Sequence, residues 1–444
     1  MLPAILNELR DRRVVIVGFG REGRSTWRLL REAFPGMPLA VADRNPVMLP
    51  VPDPATALLC GPDYLDALDG FDVMVKSPGV PLLGVPLPPG LAVTSQTDLF
   101  LRHAGCRTIG VTGTKGKSTT SSLIHRILEA DGRHALLLGN IGVPVLDRAA
   151  ELRPDSIAVL ELSCNQLLHA KGSPDIAVIT NLYPEHLDHY ASYDDYAEAK
   201  MNILRHQGAD GICVFNSDHE ELRMRVARTA CGRLVPVSLA DASAQGLDKL
   251  AELNPNLAGR HNLYDALLAS AAARAAGASG EAVRAGLASF PGIPHRMQDI
   301  GTWRGIRFYD NSIATVPVAT LYALETLAPV DTVIVGGLDR GLDLKEFTDT
   351  LAASAVRTVI CMPDTGAAVR DRLAAVGAPQ LRVWADDMDT AVRLCFEHTP
   401  SGGVCLLSPT ASSYNRYKSF EEKGDEFKQW VRKYGSAGEE RGTE

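Results

Sequence analysis

Short, wholly apolar runs recur along the chain. Most end at glycine or at a polar cluster, and many are followed by a longer stretch with helical spacing of apolar positions. Val14-Val15-Ile16-Val17 leads into Gly18-Phe19-Gly20-Arg21-Glu22-Gly23 and a helix through about Ala33. Leu39-Ala40-Val41-Ala42 ends at Asp43, and Asp72-Val73-Met74-Val75 ends at Lys76-Ser77-Pro78-Gly79. Runs that are apolar at every position predict strands covered on both faces, and their alternation with helices predicts parallel, doubly wound sheets. Ala92-Val93-Thr94 reads as a short strand after a proline-rich loop at 81–89.

The same rhythm continues. Thr108-Ile109-Gly110-Val111-Thr112 feeds a glycine-rich turn, then a helix to about Asp131-Gly132. Ile157-Ala158-Val159-Leu160 ends at Glu161, and Ile176-Ala177-Val178-Ile179-Thr180 ends at Asn181. Segments 193–206 and 256–276 read as helices. Pro291 and Pro294 punctuate the chain, after which strands are predicted at 307–309, 331–335, 356–360 and 404–407, with a last helix at 420–434 and a frayed polar tail from Gly435. At roughly 150 residues per domain, 444 residues predict about three. The expected division is 1–103, 104–293 and 294–444, all α/β: Rossmann-like N- and C-terminal domains around a P-loop-type centre.

Composition adds exclusions. With 45% hydrophobic and 22% charged residues, the chain is ordinary globular protein. A net charge of −8 argues against non-specific binding to nucleic acid or anionic membranes, so neither is expected as a partner. Eight scattered cysteines, without a Cys-x-x-Cys pair, predict neither a disulfide framework nor a structural zinc. The N-terminus lacks a signal-peptide core and no run is long and apolar enough to cross a bilayer, so a soluble cytoplasmic monomer is expected.

The candidate chemistry sits where the runs end. In Gly113-Thr114-Lys115-Gly116-Lys117-Ser118-Thr119, bare N–H groups and a helix start can face phosphate, Lys117 can neutralise it, and Ser118 can hold magnesium. Only two residues separate Gly113 from Gly116, so the turn is shorter than a Walker loop. Glycines 18, 20 and 23, with Asp43 beyond them, match a dinucleotide fingerprint. Because a separate ATP loop follows, this turn can equally hold the diphosphate of another nucleotide, or be structural. Glu161, at a strand end, reads equally as metal ligand or surface carboxylate, His186 as structural or as a metal or phosphate contact. By pattern Lys200 is an ordinary solvated lysine.

Together these motifs resemble the Mur ligases, the ATP-dependent amide-forming enzymes of peptidoglycan precursor synthesis. The resemblance rests on the loop at 113–119, Gly139-Asn140-Ile141-Gly142, Glu161-Leu162-Ser163, Asn181 to His186, Ala199-Lys200, Gly259-Arg260-His261-Asn262 and Pro294-His295-Arg296. Leu407 to Ser413 and Lys418 to Gly424 are most similar to the branch that adds D-glutamate to UDP-N-acetylmuramoyl-L-alanine. A relative that adds L-glutamate, and a folylpolyglutamate-synthase-like ligase, are the alternatives; the latter lacks a UDP-type N-terminal domain.

The resemblance implies roles. Gly18, Phe19, Gly20, Arg21, Glu22, Asp43, Ser77, Pro78, Gly79 and Ser163 would hold the UDP-substrate. Gly113, Thr114, Lys115, Gly116, Lys117, Ser118, Thr119, Asn140, Asn262 and Arg296 would hold ATP. Two Mg²⁺ ions would be bound through Ser118, Glu161, His186 and a carbamylated Lys200, with Lys117, Glu161, His186 and Lys200 as the catalytic set. Thr315, Arg340, Ser413, Tyr414 and Phe420 would receive glutamate. The chain departs from the pattern at Ile313, where a lysine is usual, in the order Asp310-Asn311, at Leu338 and Arg340 within Gly336-Gly337-Leu338-Asp339-Arg340, and at Asp265.

Overall fold

A computed structural model of the chain describes residues 1–140, 143–184, 190–339 and 341–436. Its described residues form three sheets, two in a compact unit Met1–Phe290 and one in a second unit, Pro291–Glu444.

The first sheet is all parallel, in the spatial order Thr56–Cys60, Leu39–Asp43, Val14–Val17, Val73–Lys76, Ala92–Thr94. Val14–Val17 and Val73–Lys76 are buried at every position, as helix-covered strands must be. Strand order reverses at Val14–Val17, so the crevice at its carboxyl end, at Gly18, is where such sheets place ligands. The helix Arg21–Ala33 starts from that turn.

The second sheet is also all parallel: Arg233–Val237, Ile212–Asn216, Ile176–Ile179, Arg107–Thr112, Ile157–Glu161, Ala135–Gly139. Arg107–Thr112 is its switch strand, flanked by the strands that end at Glu161 and just before Thr180-Asn181. Lys117–Ala130, Arg260–Ala275 and Gly280–Ala288 are the main helices around the loop that follows it. One apolar core runs from Ile16 and Val41 of the first sheet to Leu160 and Ile179 of the second.

In the second unit the order is Gln298–Trp303, Ile306–Asp310, Val404–Leu407, Thr332–Val335, Thr358–Cys361, Leu381–Trp384, with only the first pair antiparallel. The third sheet is therefore mixed, with apolar cores on both faces.

Several expectations need correction. The helix expected over 256–276 begins only at Arg260, because Gly259, at φ +98°, separates it from a single 3₁₀ turn at Pro255–Leu257. The last helix runs to Ser436, and Gly435 is buried against Trp303 where fraying was expected. Residues 437–444 lie outside the described residues. Strands at Thr56–Cys60, Ala135–Gly139, Arg233–Val237, Gln298–Trp303 and Leu381–Trp384 were not predicted, and each is a sheet edge; the interior, fully buried strand Ile212–Asn216 was not predicted either.

Candidate functional site

The loop after Arg107–Thr112 is held from beneath by neighbouring strand ends. Asn181 takes its backbone in both directions: its carbonyl accepts from Thr114 N at 3.0 Å and its Oδ1 from Lys115 N at 2.8 Å, while its Nδ2 donates to Lys115 O at 3.1 Å. Thr180 Oγ1 adds a 2.6 Å bond to the same oxygen. Gly116 sits at φ +83°, and a Cβ there would overlap the Asp265 carboxylate, whose Oδ1 also accepts from Thr120 Oγ1 at 3.2 Å. Asp265, a departure from the family pattern, thus braces the loop from the helix Arg260–Ala275.

Two ammonium groups converge on one carbonyl oxygen of this loop. Lys117 Nζ lies 3.0 Å and Lys200 Nζ 2.9 Å from Gly113 O, so the two lie within about 6 Å of each other. Lys117 Nζ also donates to Thr114 O at 2.9 Å. Lys200 is 2% exposed and its ammonium lies 4.6 Å from the centre of the Tyr196 ring, which corrects the solvated reading. The helix Tyr193–Arg205, capped by Ser192, turns that face inward.

Glu161 is likewise buried, at 2% exposure, which removes the surface reading. Its Oε1 accepts from Asn140 Nδ2 at 2.7 Å, whereas its Oε2 is sealed from solvent with no hydrogen-bond partner. An orphaned buried carboxylate oxygen is costly unless a cation completes it. The donor set fits a hard cation: this oxygen, with the hydroxyl of Ser118 as a second oxygen donor at the start of the helix Lys117–Ala130. Among the described residues there is no group of three or more His, Cys, Asp or Glu suited to a metal; His186 lies outside the described residues.

Lys117, Lys200 and Asn140 open onto one cavity of about 330 Å³, lined also by Ser163, Cys164, Asn165, Tyr196, Pro78 and Gly79. It brings the loop, the strand end at Glu161 and the turn after Lys76 together. Of the lining residues, Tyr196, Cys164 and Asn165 were not singled out from sequence; nothing in helical periodicity marks them. Asn262 Nδ2 donates to Ala258 O at 2.8 Å.

At the Gly18 turn, a Cβ on Gly23 would overlap the Gly18 carbonyl, so helix and strand approach closely only without a side chain there. Ser77 Oγ donates to Gly18 O at 2.7 Å, and Phe19 N donates to Asp43 Oδ2 at 2.7 Å. Gly20 is the N-cap of the following helix and Arg21 is its first, exposed residue. Burial raises the pKa of Glu22 and lowers that of Lys76 to about 8.

In the second unit, Arg296 is exposed, next to buried His295, whose Nδ1 lies 2.8 Å from Asp310 Oδ2. Phe420 packs edge-on against that imidazole at 5.9 Å. Asp310 is fully buried and also accepts from Ser312 N, so the reversed Asp310-Asn311 order turns the carboxylate into a brace for His295. Ser413 is buried with its hydroxyl unpartnered, Tyr414 is 63% exposed, and Thr315 N donates to Ile313 O. Leu338 N donates to Ser412 O at 2.7 Å, which joins the Gly336 turn to the Ser413 segment. Arg340 lies outside the described residues.

Comparison with known proteins bears on this site. Residues 111–273 match the Mur ligase middle domain. A UDP-N-acetylmuramoylalanine–D-glutamate ligase of Geobacillus kaustophilus is 36% identical over 94% of this chain and 97% of its own length. The chain belongs to the Mur ligase family. A UDP-N-acetylmuramoyl-L-alanine–L-glutamate ligase of a Micromonospora strain is 37% identical over 96% of this chain and 98% of its own. Among solved structures, a MurF ligase of Thermotoga maritima in complex with ADP aligns over 97% of both chains at 16% identity and TM-score 0.57, which bears on the fold. The matched middle-domain segment of this Mur ligase contains the loop, Asn140, Glu161, Ser163, Lys200 and Asn262. No helix among its described residues is long and apolar enough to cross a membrane.

Proposed function

We propose that the chain is an ATP-dependent ligase that joins D-glutamate to the alanyl carboxylate of UDP-N-acetylmuramoyl-L-alanine through an acyl phosphate, in peptidoglycan precursor synthesis. The observation that carries this reading is the convergence of Lys117 and Lys200 on Gly113 O, in a cavity they share with Asn140, the partner of buried Glu161, and whose other wall is Pro78-Gly79. Phosphate chemistry and the end of a nucleotide-linked substrate meet there. The two glutamate-adding relatives, each aligned over nearly the whole chain, support the substrate class.

A carboxylate is a poor electrophile and repels a triphosphate. In this reading the N–H groups at the start of the helix Lys117–Ala130 and the Lys117 ammonium hold the ATP phosphates and stabilise charge as the γ-phosphoryl moves to the alanyl carboxylate. Glu161 and Ser118 would hold Mg²⁺, with carbamylated Lys200 and His186 at a second ion; magnesium supplies charge neutralisation between the two anions. Carbamylation would turn the Lys200 ammonium into an anionic oxygen ligand suited to a hard metal. The glutamate amine then attacks the acyl phosphate and phosphate leaves, with no covalent enzyme nucleophile. Asn140, Asn262 and Arg296 would contact ATP. Gly18–Gly23, Asp43, Ser77 and Ser163 would hold the UDP-substrate, and Thr315, Arg340, Ser413, Tyr414 and Phe420 the amino acid. The division of labour follows the domains 1–103, 104–293 and 294–444, in a cytoplasmic monomer.

L-glutamate is the second reading, favoured by Ile313 in place of the usual lysine and by the 37% identical L-glutamate ligase. Phosphate release with ATP, Mg²⁺ and UDP-N-acetylmuramoyl-L-alanine separates the two. Release stimulated by D-glutamate is expected; release with L-glutamate alone moves the assignment to the second reading, and release with neither overturns both.

A further inference from the structure

Three buried side chains that no role above uses fully are linked behind the cavity. Gln166 is 2% exposed and both ends of its amide are committed. Its Oε1 accepts from Ser163 N at 2.9 Å and lies 3.1 Å from Ser163 Oγ; its Nε2 donates to Glu22 Oε1 at 2.8 Å. Glu22 Oε2 is sealed from solvent without a partner. Lys76, 4% exposed, directs its ammonium to the carbonyls of Ser77 and Pro78 at 3.3 and 3.4 Å, and Glu22 is the carboxylate whose charge acts on it. The Glu22 carboxyl group therefore stands behind the Ser163 wall of the cavity, to which Gln166 joins it.

We propose that Glu22 and Gln166 form a buried positioning relay that fixes Ser163, and so sets where the reacting end of the nucleotide-linked substrate lies. The proposal rests on the ligase reading for its substrate and makes Glu22 a positioning residue. Gln166 is excluded as a direct ligand by its committed amide. A hydrogen-bonded chain of this kind makes residues that do not touch behave as one unit.

Selectively ¹⁵N-serine-labelled protein without substrates tests the relay apart from the reaction. Glu22→Leu is expected to move the Ser163 amide resonance, and Glu22→Gln, which keeps an oxygen for Gln166, to move it less; an unmoved resonance in Glu22→Leu overturns the relay. In turnover, Gln166→Leu and Ser163→Ala are each expected to lower kcat about tenfold, and together no more than about threefold below the worse single variant, with KM for ATP held within about twofold. Losses that multiply, or that fall on KM for ATP, overturn it. Should Gln166→Leu fail to fold, the Glu22 pair of variants decides alone. A wild-type chain that releases no phosphate with its proposed substrates sinks the ligase reading, while the Ser163 resonance still judges the relay.

Discussion

Lys200 and Glu161 each carry an ionisable group into a place that water barely reaches, and half-buried Lys117 lies beside Lys200. Two ammonium groups lie against one neutral carbonyl, and a carboxylate keeps one oxygen unpaired. In the proposed reaction phosphate and a divalent cation meet these groups, and catalytic sites commonly hold charges that folding alone would not select. Lys117→Ala is expected to lower kcat at least about 100-fold while calorimetric affinity for the UDP-substrate stays within about threefold, because the lysine acts on the transferring phosphoryl group. Glu161→Gln keeps an oxygen for Asn140 and removes the anion. It is expected to raise the Mg²⁺ concentration needed for half-maximal activity about tenfold or more, and to abolish any Mg²⁺-dependent rise in melting temperature. An unchanged Mg²⁺ profile contradicts the metal assignment.

At the scale of elements, the site depends on how strand ends meet. Gly116 lies in the left-handed region against Asp265, so Gly116→Ala combines backbone strain with overlap. A loss of about 2 kcal/mol or more in urea unfolding, with ATP binding weakened, is expected. Lys423, on the last helix, is 2% exposed and donates to Gly336 O at 2.6 Å, and burial lowers its pKa to about 7. The unfolded chain holds that proton up to the ordinary lysine range, the folded chain only below about 7. Between those limits the unfolded state binds more protons, so stability rises with pH; below pH 7 both states are protonated and the full cost of burying the ammonium is present. Lys423→Met is expected to flatten that slope and to raise the stability of Pro291–Glu444 at pH 6–7 by about 1–3 kcal/mol, a gain that fades toward pH 10. An unchanged slope in urea melts across that range contradicts it.

Most central strands were legible because runs such as Val14-Val15-Ile16-Val17 must be covered on both faces, though Ile212–Asn216, central and buried throughout, was missed because it is short and ends in polar Asn216-Ser217. Edge strands such as Thr56–Cys60 were not, since half-exposed segments lose the continuous apolar signature. The inward face of Tyr193–Arg205 was also hidden: helical spacing is the same whether Lys200 meets water or a loop. Asp265 appeared only as a departure, and its bracing role became visible once Gly116 was seen against it.

For the whole molecule, the proposed function places nucleotide holding and phosphoryl transfer in one compact unit, Met1–Phe290, and amino-acid delivery in the other, Pro291–Glu444. That division predicts that variants at Ser413 or Phe420 change KM for glutamate with KM for ATP unchanged within about twofold, as steady-state kinetics would show. The central claim is that the alanyl carboxylate itself takes the γ-phosphoryl group. It is tested most directly with UDP-N-acetylmuramoyl-L-alanine carrying ¹⁸O in that carboxylate, turned over with ATP and glutamate, and mass analysis of the released phosphate. Transfer of one labelled oxygen to phosphate is predicted; amide formation with phosphate free of label would contradict the acyl-phosphate route.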